Sequence, residues 1–335
     1  MAASGITPVT VLTGFLGSGK TTLLARLLRE EAWRDTAVIV NEWGETGLDH
    51  AILREATDAV VQLPSGCLCC RVAGDLVRTL RDLHAERLAR SGPAFRRVVV
   101  ETTGLADPAP ILATLAEMPL VAARYAVSGV VTTVDAEHGA RQLRDHVEAR
   151  RQVAMADRLV VTKADRVPAA TRPALEDTLR AINPGAALAF VSPASALPER
   201  LLEAGLYRTG SGAPDAAGWL HAGAYRRIGT PVVHSADIVS FAWTAAEPFA
   251  PGGLESALQT LVEAMGSRLL RLKGLAAIEG EAGPRAVHAV GHTLYPSARL
   301  PAWPDADRSS RIVFIGAGLE ESAVASILDS FRRTA

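Results

Sequence analysis

The sequence predicts an α/β protein with a mostly parallel, doubly wound sheet, followed by a smaller α+β domain. Up to about residue 200, apolar strand-like segments alternate with segments of helical periodicity, the pattern of a parallel sheet covered by helices on both faces. A stretch rich in Gly, Ala, Ser and Pro at 209–223 then interrupts the alternation. Because 335 residues exceed what one core usually fills, two domains are expected.

Local patterns justify each element of the first region. Three consecutive valines at 98–100 are typical of a strand buried on both faces. Leucines recur at helical spacings between Asp75 and Ala89, and Asp107-Pro108 is a suitable helix start. The predicted strands are 8–13, 36–40, 59–63, 97–102, 127–134, 158–162 and 187–191. The predicted helices are 21–29, 75–89, one from about 108, 140–155 and 171–182.

The order of elements changes in the last third of the chain. Strand 238–244 and helix 254–264 are followed by strands at 269–272, 286–290 and 311–315 and by a final helix at 320–331. One helix between strands, followed by three strands without helices, indicates a small α+β unit rather than a continued parallel sheet. We therefore predict a first domain at 1–207, a linker at 208–233 and a second domain at 234–335.

The overall charge and composition exclude several classes of partner. The formal net charge is −1, from 35 basic and 36 acidic residues, so neither nucleic acid nor an anionic membrane is expected as a partner. No apolar run approaches the roughly 20 residues of a membrane span. The N-terminus lacks the pattern of a secretory signal, which predicts a cytoplasmic protein. In that compartment, clustered cysteines more often bind metal or undergo redox chemistry than form structural disulfides.

A phosphate-binding loop follows the first predicted strand. Residues 14–21 read Gly-Phe-Leu-Gly-Ser-Gly-Lys-Thr, which fits G-x-x-x-x-G-K-S/T between a strand and a helix. Loop N–H groups and the helix N-terminus favour phosphate binding. Lys20 is predicted to reach the β- and γ-phosphates and Thr21 to bind Mg²⁺. The loop residues predicted to contact the nucleotide are Gly14, Gly17, Ser18 and Gly19. The first domain is accordingly predicted to be a P-loop NTPase domain.

A second motif predicts which base is bound. Thr162-Lys163-Ala164-Asp165 lies at the end of a predicted strand. The Asp165 carboxylate can accept hydrogen bonds from N1–H and N2–H₂ of guanine, whereas adenine lacks that pair of donors. The Lys163 stem can pack across the base. Threonine stands where this motif usually has asparagine, so GTP is predicted with weaker discrimination against other bases.

Two further loops have the composition of nucleotide-sensing segments. Glu101-Thr102-Thr103-Gly104 ends the valine-rich strand, where a carboxylate can hold a Mg²⁺-bound water and the Gly104 N–H can meet the γ-phosphate. Asn41–Asp49 contains two glycines and three carboxylates and is predicted to be a mobile first switch. Lys20, Glu101 and the first-switch residue Glu42 are the predicted catalytic residues.

All three cysteines of the chain lie within five residues, as Gly66-Cys67-Leu68-Cys69-Cys70. Thiolates suit zinc and related metals, but a tetrahedral site needs a fourth ligand. Glu42, Glu45 or a histidine can supply it, or the position can stay open for transfer. Cys67, Cys69, Cys70 and Glu42 are therefore the predicted metal ligands. A buried inert cluster and a redox pair are the alternatives.

Together these motifs resemble the CobW-like family of metal-handling P-loop GTPases. The similarity covers 14–22, 41–49, 66–70, 101–108 and 162–165. It extends to the last third of the chain at Ser240-Phe241, Arg271-Leu272-Lys273-Gly274, Trp303-Pro304 and 311–316. It adds Thr22 to the predicted nucleotide contacts. It implies a GTPase that binds Zn²⁺ or Co²⁺ and delivers it to a client protein or metal-insertion complex. The histidine-rich stretch often found between the family's domains is missing from this sequence.

The predicted function is therefore a GTP-hydrolysing metallochaperone with GTP, Mg²⁺ and Zn²⁺ or Co²⁺ as its ligands. Since the sequence offers no obvious water-orienting glutamine, intrinsic hydrolysis is expected to be slow. Two alternatives remain at this point: a metal sensor or adaptor whose nucleotide is structural, and a P-loop kinase acting on a small molecule. An oligomer is compatible with the sequence, which does not identify the client.

Overall fold

A computed structural model describes residues 6–40, 60–62, 71–89, 95–198, 201–202 and 238–333. The chain divides into two compact units. The first runs through Gln152 and includes 156–175 and 187–213, and the second contains 153–155, 176–186 and the chain from Pro214 onward. The predicted first switch, the cysteine cluster and the linker lie outside the described residues. None of the described helices combines the length and apolar character that a membrane span requires.

A seven-stranded sheet forms the centre of the first unit, in the order β3-β2-β4-β1-β5-β6-β7, and every neighbouring pair is parallel. This confirms the predicted fold class. The strands are β1 (Thr7–Gly14), β2 (Thr36–Val40), β3 (Val60–Gln62), β4 (Arg97–Glu101), β5 (Tyr125–Asp135), β6 (Arg158–Thr162) and β7 (Ala187–Phe190). The valines of β4 are fully buried, because both faces of a parallel sheet are covered.

The helices of the same region connect these parallel strands. They are α1 (Lys20–Leu28), α2 (Arg71–Ala89), α3 (Ala109–Glu117), α4 (Pro119–Ala122), α5 (Gly139–Asp145), α6 (Val147–Met155) and α7 (Arg172–Ile182). Leucines of α1 pack with Trp33 and with valines of β2, β4, β5 and β6 in one buried cluster. The regular alternation brings the carboxyl ends of β1, β4, β5 and β6 to the same edge of the sheet.

The sequence predicted one helix over 140–155, and the structure has two. The break falls at His146, whose backbone is extended with φ −125° and ψ 120°. Its ring stacks on Phe15 of the phosphate-binding loop, with centroids 4.5 Å apart. This tertiary contact accompanies an end to α5 that helical periodicity alone does not signal.

An antiparallel sheet dominates the second unit, in the order β11-β10-β9-β13-β8, with β12 paired to β10. Its strands are β8 (Ile238–Ala245), β9 (Leu269–Ala276), β10 (Arg285–Val290), β11 (Thr293–Leu294), β12 (Ala298–Arg299) and β13 (Ser310–Ala317). Helices α8 (Gly253–Met265) and α9 (Glu321–Arg333) contribute to one apolar core with the strands. The predicted small α+β fold is confirmed, although the two-residue strands β11 and β12 were too short to predict.

Candidate nucleotide-binding site

The phosphate-binding loop joins the end of β1 to the start of α1. Gly14 has φ +145°, and a Cβ atom there would lie 2.3 Å from the Thr133 Oγ1. Gly19 precedes the helix in the left-handed conformation, with φ 85°. Gly14 is required because the loop packs closely against β5, and Gly19 because a residue with a Cβ atom would be strained in the left-handed conformation. This glycine-rich loop stands directly before a helix N-terminus, a position at which proteins commonly bind phosphate.

Lys20 lies inside this loop and is 8% exposed. Its Nζ donates to the carbonyl oxygens of Gly14 at 2.9 Å and Phe15 at 3.4 Å. A compact ammonium on a flexible stem suits this position, because Nζ reaches the loop carbonyls from the first residue of α1. The same group can turn from these carbonyls to a phosphate, which would bring more negative charge than they do.

The predicted Mg²⁺ ligand and the predicted switch carboxylate are in direct contact. Thr21 donates its hydroxyl to the Glu101 Oε1 at 2.6 Å, although 80 residues separate them in sequence. Glu101 is 4% exposed and ends β4, directly beside β1. One residue on, the Thr102 hydroxyl donates to the Thr13 Oγ1 at 2.8 Å. These oxygen donors suit Mg²⁺, which prefers hard oxygen ligands.

Gly104 packs against the phosphate-binding loop from the other side. A Cβ atom at Gly104 would lie 2.6 Å from the Leu16 Cδ2 and 2.8 Å from the Leu16 Cα and N. Any larger residue would therefore push the two loops apart. The absence of a side chain lets the backbone of 102–108 approach the loop that is predicted to hold the phosphates.

The predicted base motif also contacts the phosphate-binding loop. Thr162 donates its hydroxyl to the Ser18 carbonyl at 2.7 Å. Lys163 has the left-handed conformation, with φ 55°, and its Nζ donates to the Gly17 carbonyl at 2.8 Å. Asp165 is exposed at the edge of the same loop. The threonine that replaces the usual asparagine thus contributes a contact to the phosphate-binding loop, which leaves Asp165 as the predicted reader of guanine.

Asp135, a residue that the sequence analysis missed, organises this corner of the site. It ends β5, is 1% exposed and accepts a hydrogen bond from the Lys163 Nζ at 2.6 Å. Burial alone would raise the pKa of this carboxyl. Hydrogen bonds from Lys163 and from the backbone N–H groups of Glu137 and His138 outweigh burial and hold the pKa below its ordinary value. The signal in the sequence was an acidic residue directly after a strand-like apolar run.

Of the remaining predicted site residues, Ser18 and Thr22 are among the described residues and the predicted metal ligands are not. Ser18 is buried and its hydroxyl hydrogen-bonds Thr133 Oγ1 at 2.7 Å, whereas Thr22 is exposed on α1. The predicted metal ligands Glu42, Cys67, Cys69 and Cys70 lie outside the described residues. Within the parts of the chain that the structure describes, no group of three or more His, Cys, Asp or Glu side chains is placed to hold a metal ion.

The described residues fit Mg²⁺ and a nucleoside triphosphate. A glycine-rich loop before a helix, a buried ammonium and a hydroxyl–carboxylate pair lie at one edge of the sheet. Residues 8–190 match the nucleotide-binding domain described as CobW/HypB/UreG, and residues 238–332 match the cobalamin synthesis protein cobW C-terminal domain. The chain belongs to the CobW family.

Several CobW-family relatives match almost the full length of this chain. The zinc chaperone YjiA of Escherichia coli is 31% identical over 97% of this chain and 98% of its own length. The zinc chaperone CobW of Pseudomonas aeruginosa is 31% identical over 96% of this chain and 90% of its own length. The crystal structure of Zn(II)-bound YjiA GTPase from E. coli has a TM-score of 0.67 at 26% identity, covering 98% and 100% of the two chains.

Proposed function

We propose that this protein is a GTP-hydrolysing metallochaperone that carries Zn²⁺ or Co²⁺ to a client metalloprotein. GTP hydrolysis is supported mainly by the contact between Thr21 and Glu101, next to the buried Lys20. Metal delivery is supported by the cysteine cluster at 67–70 and by relatives named as zinc chaperones and as zinc-regulated GTPase metalloprotein activators.

The chain's own residues have distinct roles in hydrolysis. Lys20 turns from the loop carbonyls to the β- and γ-phosphates and offsets their negative charge. The Thr21 hydroxyl would hold Mg²⁺ and the Glu101 carboxylate would hold a water on it, in place of the hydrogen bond that these two side chains now make to each other. Mg²⁺, when bound, neutralises charge that develops on the phosphate oxygens. Asp165 selects guanine, and the Lys163 stem supports the base.

Metal transfer requires a coupling between the nucleotide and the thiolates. In this proposal, GTP orders the first switch, Asn41–Asp49, together with the loop from Glu101 to Gly104. The ordered loops bring Glu42 to the thiolates of Cys67, Cys69 and Cys70 and complete a tight metal site. Hydrolysis removes the γ-phosphate, releases Glu42 and lowers the affinity, so that a client with competing ligands can take the metal.

Metal titration of the reduced protein tests this coupling. Zinc and cobalt affinities are measured with a chelator competitor in three states: no nucleotide, GDP, and a non-hydrolysable GTP analogue with Mg²⁺. We expect the analogue to tighten metal binding by about 5- to 150-fold relative to GDP, and the metal to tighten analogue binding by the same factor, since linkage is reciprocal. Cys67→Ser is expected to abolish the difference while GDP affinity stays unchanged.

Hydrolysis measurements on variants separate the proposal from its alternatives. Lys20→Ala is expected to remove multiple-turnover GTP hydrolysis, whereas Arg29→Ala, an exposed cation at the other end of α1, leaves it intact. A protein that binds GTP but shows no turnover would instead be a sensor or adaptor. Turnover that needs a phosphate-accepting small molecule and survives Cys67→Ser would identify a kinase. Equal metal affinities with GDP and with the analogue would contradict the coupling.

A further inference from the structure

Helix α6 holds the loop between β4 and α3 through a buried glutamine. The Gln152 Nε2 donates one hydrogen bond to the Gly104 carbonyl at 3.2 Å and one to the Ala106 carbonyl at 3.0 Å. Gln152 is 1% exposed. Both N–H bonds of a single amide are thus used on two carbonyls of the loop that is predicted to sense the γ-phosphate.

The backbone of Gln152 is itself fixed to the centre of the sheet. The Gln152 backbone carbonyl accepts the Thr132 hydroxyl at 2.8 Å, and Thr132 on β5 is 1% exposed. Next to it, Arg151 contacts the Asp107 carboxylate at 3.3 Å. Residues 104–107 are therefore held at two successive points by one helix that is anchored to β5.

The chemistry of the glutamine indicates that its donors are what matters. Its Oε1 is buried with no hydrogen-bond partner among the described residues, which costs stability that an apolar side chain of the same shape would not lose. Flipping the amide would place Oε1 against two carbonyl oxygens, so the donor assignment is fixed by the network. The role of Gln152 is therefore to hold the loop at 104–107 by hydrogen bonds rather than to fill space in the core.

Holding these carbonyls also determines where the loop's N–H groups point. A carbonyl and the following N–H belong to one planar trans peptide and face opposite ways, so Gln152 directs the N–H groups of Leu105 and Asp107 away from α6. Gly104, which precedes Leu105 in the chain, packs against Leu16 of the phosphate-binding loop. The Gln152 amide therefore holds residues 104–107 beside the phosphate-binding loop and orients the N–H groups of Leu105 and Asp107.

We propose that Gln152 is a positioning residue for GTP hydrolysis, which holds residues 104–107 against the phosphate-binding loop so that Glu101 and Gly104 meet Mg²⁺ and the γ-phosphate. This inference rests on the proposed GTPase function. Because GDP has no γ-phosphate, losing the two donor bonds should weaken GTP-analogue binding and slow turnover without changing GDP binding. The loss of two neutral hydrogen bonds corresponds to about a tenfold change in each quantity.

The test compares Gln152→Met, Gln152→Glu and the control Gln259→Met in the full-length protein. Methionine keeps the length and loses the donors, and glutamate places a carboxylate against the two carbonyls. Gln259 is an exposed glutamine on α8 whose amide reaches only Glu263 at 2.6 Å in the described contacts. Fluorescent GDP and GTP-analogue affinities and single-turnover rates are measured with Mg²⁺, after thermal unfolding has established that each variant is folded.

We expect the ratio of GTP-analogue to GDP dissociation constants to rise about tenfold in both Gln152 variants, with the control unchanged. A folded Gln152 variant with a wild-type ratio and a wild-type single-turnover rate would overturn the proposal, since a purely structural role lowers the unfolding temperature only.

If neither Gln152 variant folds, the same affinity ratio is measured for Arg151→Met. A two- to threefold rise in the ratio supports the proposal, and no change overturns it. If the wild type hydrolyses no GTP, the proposed function fails, while the affinity ratio still tests Gln152.

Discussion

Buried polar side chains at the carboxyl edge of the parallel sheet differ from the buried Arg311 of the antiparallel sheet in how far away in sequence their partners lie. At the carboxyl edge of the parallel sheet, buried Glu101, Asp135 and Thr162 contact residues that lie 28 to 144 positions away in sequence. In the antiparallel sheet, Arg311 is also buried, but its guanidinium pairs with the Asp305 carboxylate, only six residues away, at 3.0 Å to each oxygen.

The edge of the parallel sheet carries the predicted nucleotide site, whereas the antiparallel sheet mainly stabilises its own unit by apolar packing. Long-range polar contacts at the edge of the parallel sheet join four strand ends and the phosphate-binding loop into one site, and the hydrogen bonds offset the cost of removing these groups from water. The other sheet contributes Phe241 and Phe314 to an apolar core that also contains Phe249 and residues of α8 and α9. Each of these phenylalanines contributes roughly 1.5–3 kcal/mol by burial alone. Stability and nucleotide binding should therefore respond to different substitutions.

The largest expected effect is on stability. Phe314 is 1% exposed and stacks on Phe241 with centroids 5.6 Å apart, so Phe314→Ala should lower the free energy of unfolding by about 3–5 kcal/mol. Urea unfolding followed by tryptophan fluorescence measures this, and GDP affinity under folding conditions should stay within twofold. Phe331→Ala, at the half-buried edge of the same core, is the control with a smaller loss. A loss of GDP affinity in step with the loss of stability would contradict the separation of nucleotide binding from packing in the antiparallel sheet.

A smaller effect, confined to the base, is expected from Asp165→Asn. Removing the carboxylate from the exposed loop edge should weaken GTP binding by about 10- to 100-fold and favour xanthine nucleotides, because a bidentate base contact is worth roughly 1–3 kcal/mol. The unfolding free energy should not change. Competition of GTP, XTP and ATP against a labelled nucleotide measures it, with the exposed Asp145→Asn on α5 as control. Unaltered base preference would remove Asp165 from the predicted site.

Asp135→Asn should produce the smallest change, and it should lower both the free energy of unfolding and the affinity for GDP. The folded-state pKa of Asp135 lies below its ordinary value of 3.8, so the ionised carboxylate stabilises the fold above that pH, and this contribution is lost as the pH falls through the lowered pKa. At pH 7 the variant should lose about 1–2 kcal/mol, with a modest loss of GDP affinity through Lys163.

The stability difference between wild type and Asp135→Asn should shrink as the pH falls below about 4. Unfolding curves at pH 7, 5 and 3.5 measure it, and Asp177→Asn, an exposed acid on α7, serves as the control. A difference that stays constant over this range would mean that the charge of Asp135 has no role.

The sequence by itself determined the fold class, most strands and helices, the phosphate-binding loop and the family, and it supplied the prediction of a guanine motif. These features depend on local spacing: period-two and period-3.6 apolar patterns, glycines at fixed offsets and a lysine at the start of a helix. Residues such as Lys20 and Asp165 could be named because their predicted roles depend only on their position within one short motif.

The tertiary structure alone decided the contacts between motifs. Thr21 meets Glu101 across 80 residues, Asp135 holds Lys163, and Gln152 holds Gly104 across 48. No local pattern encodes these pairs, because they arise when parallel strands from separate segments end at one edge of a sheet. The same reason explains the end of α5 at His146, where stacking on Phe15 coincides with a break in a helical pattern.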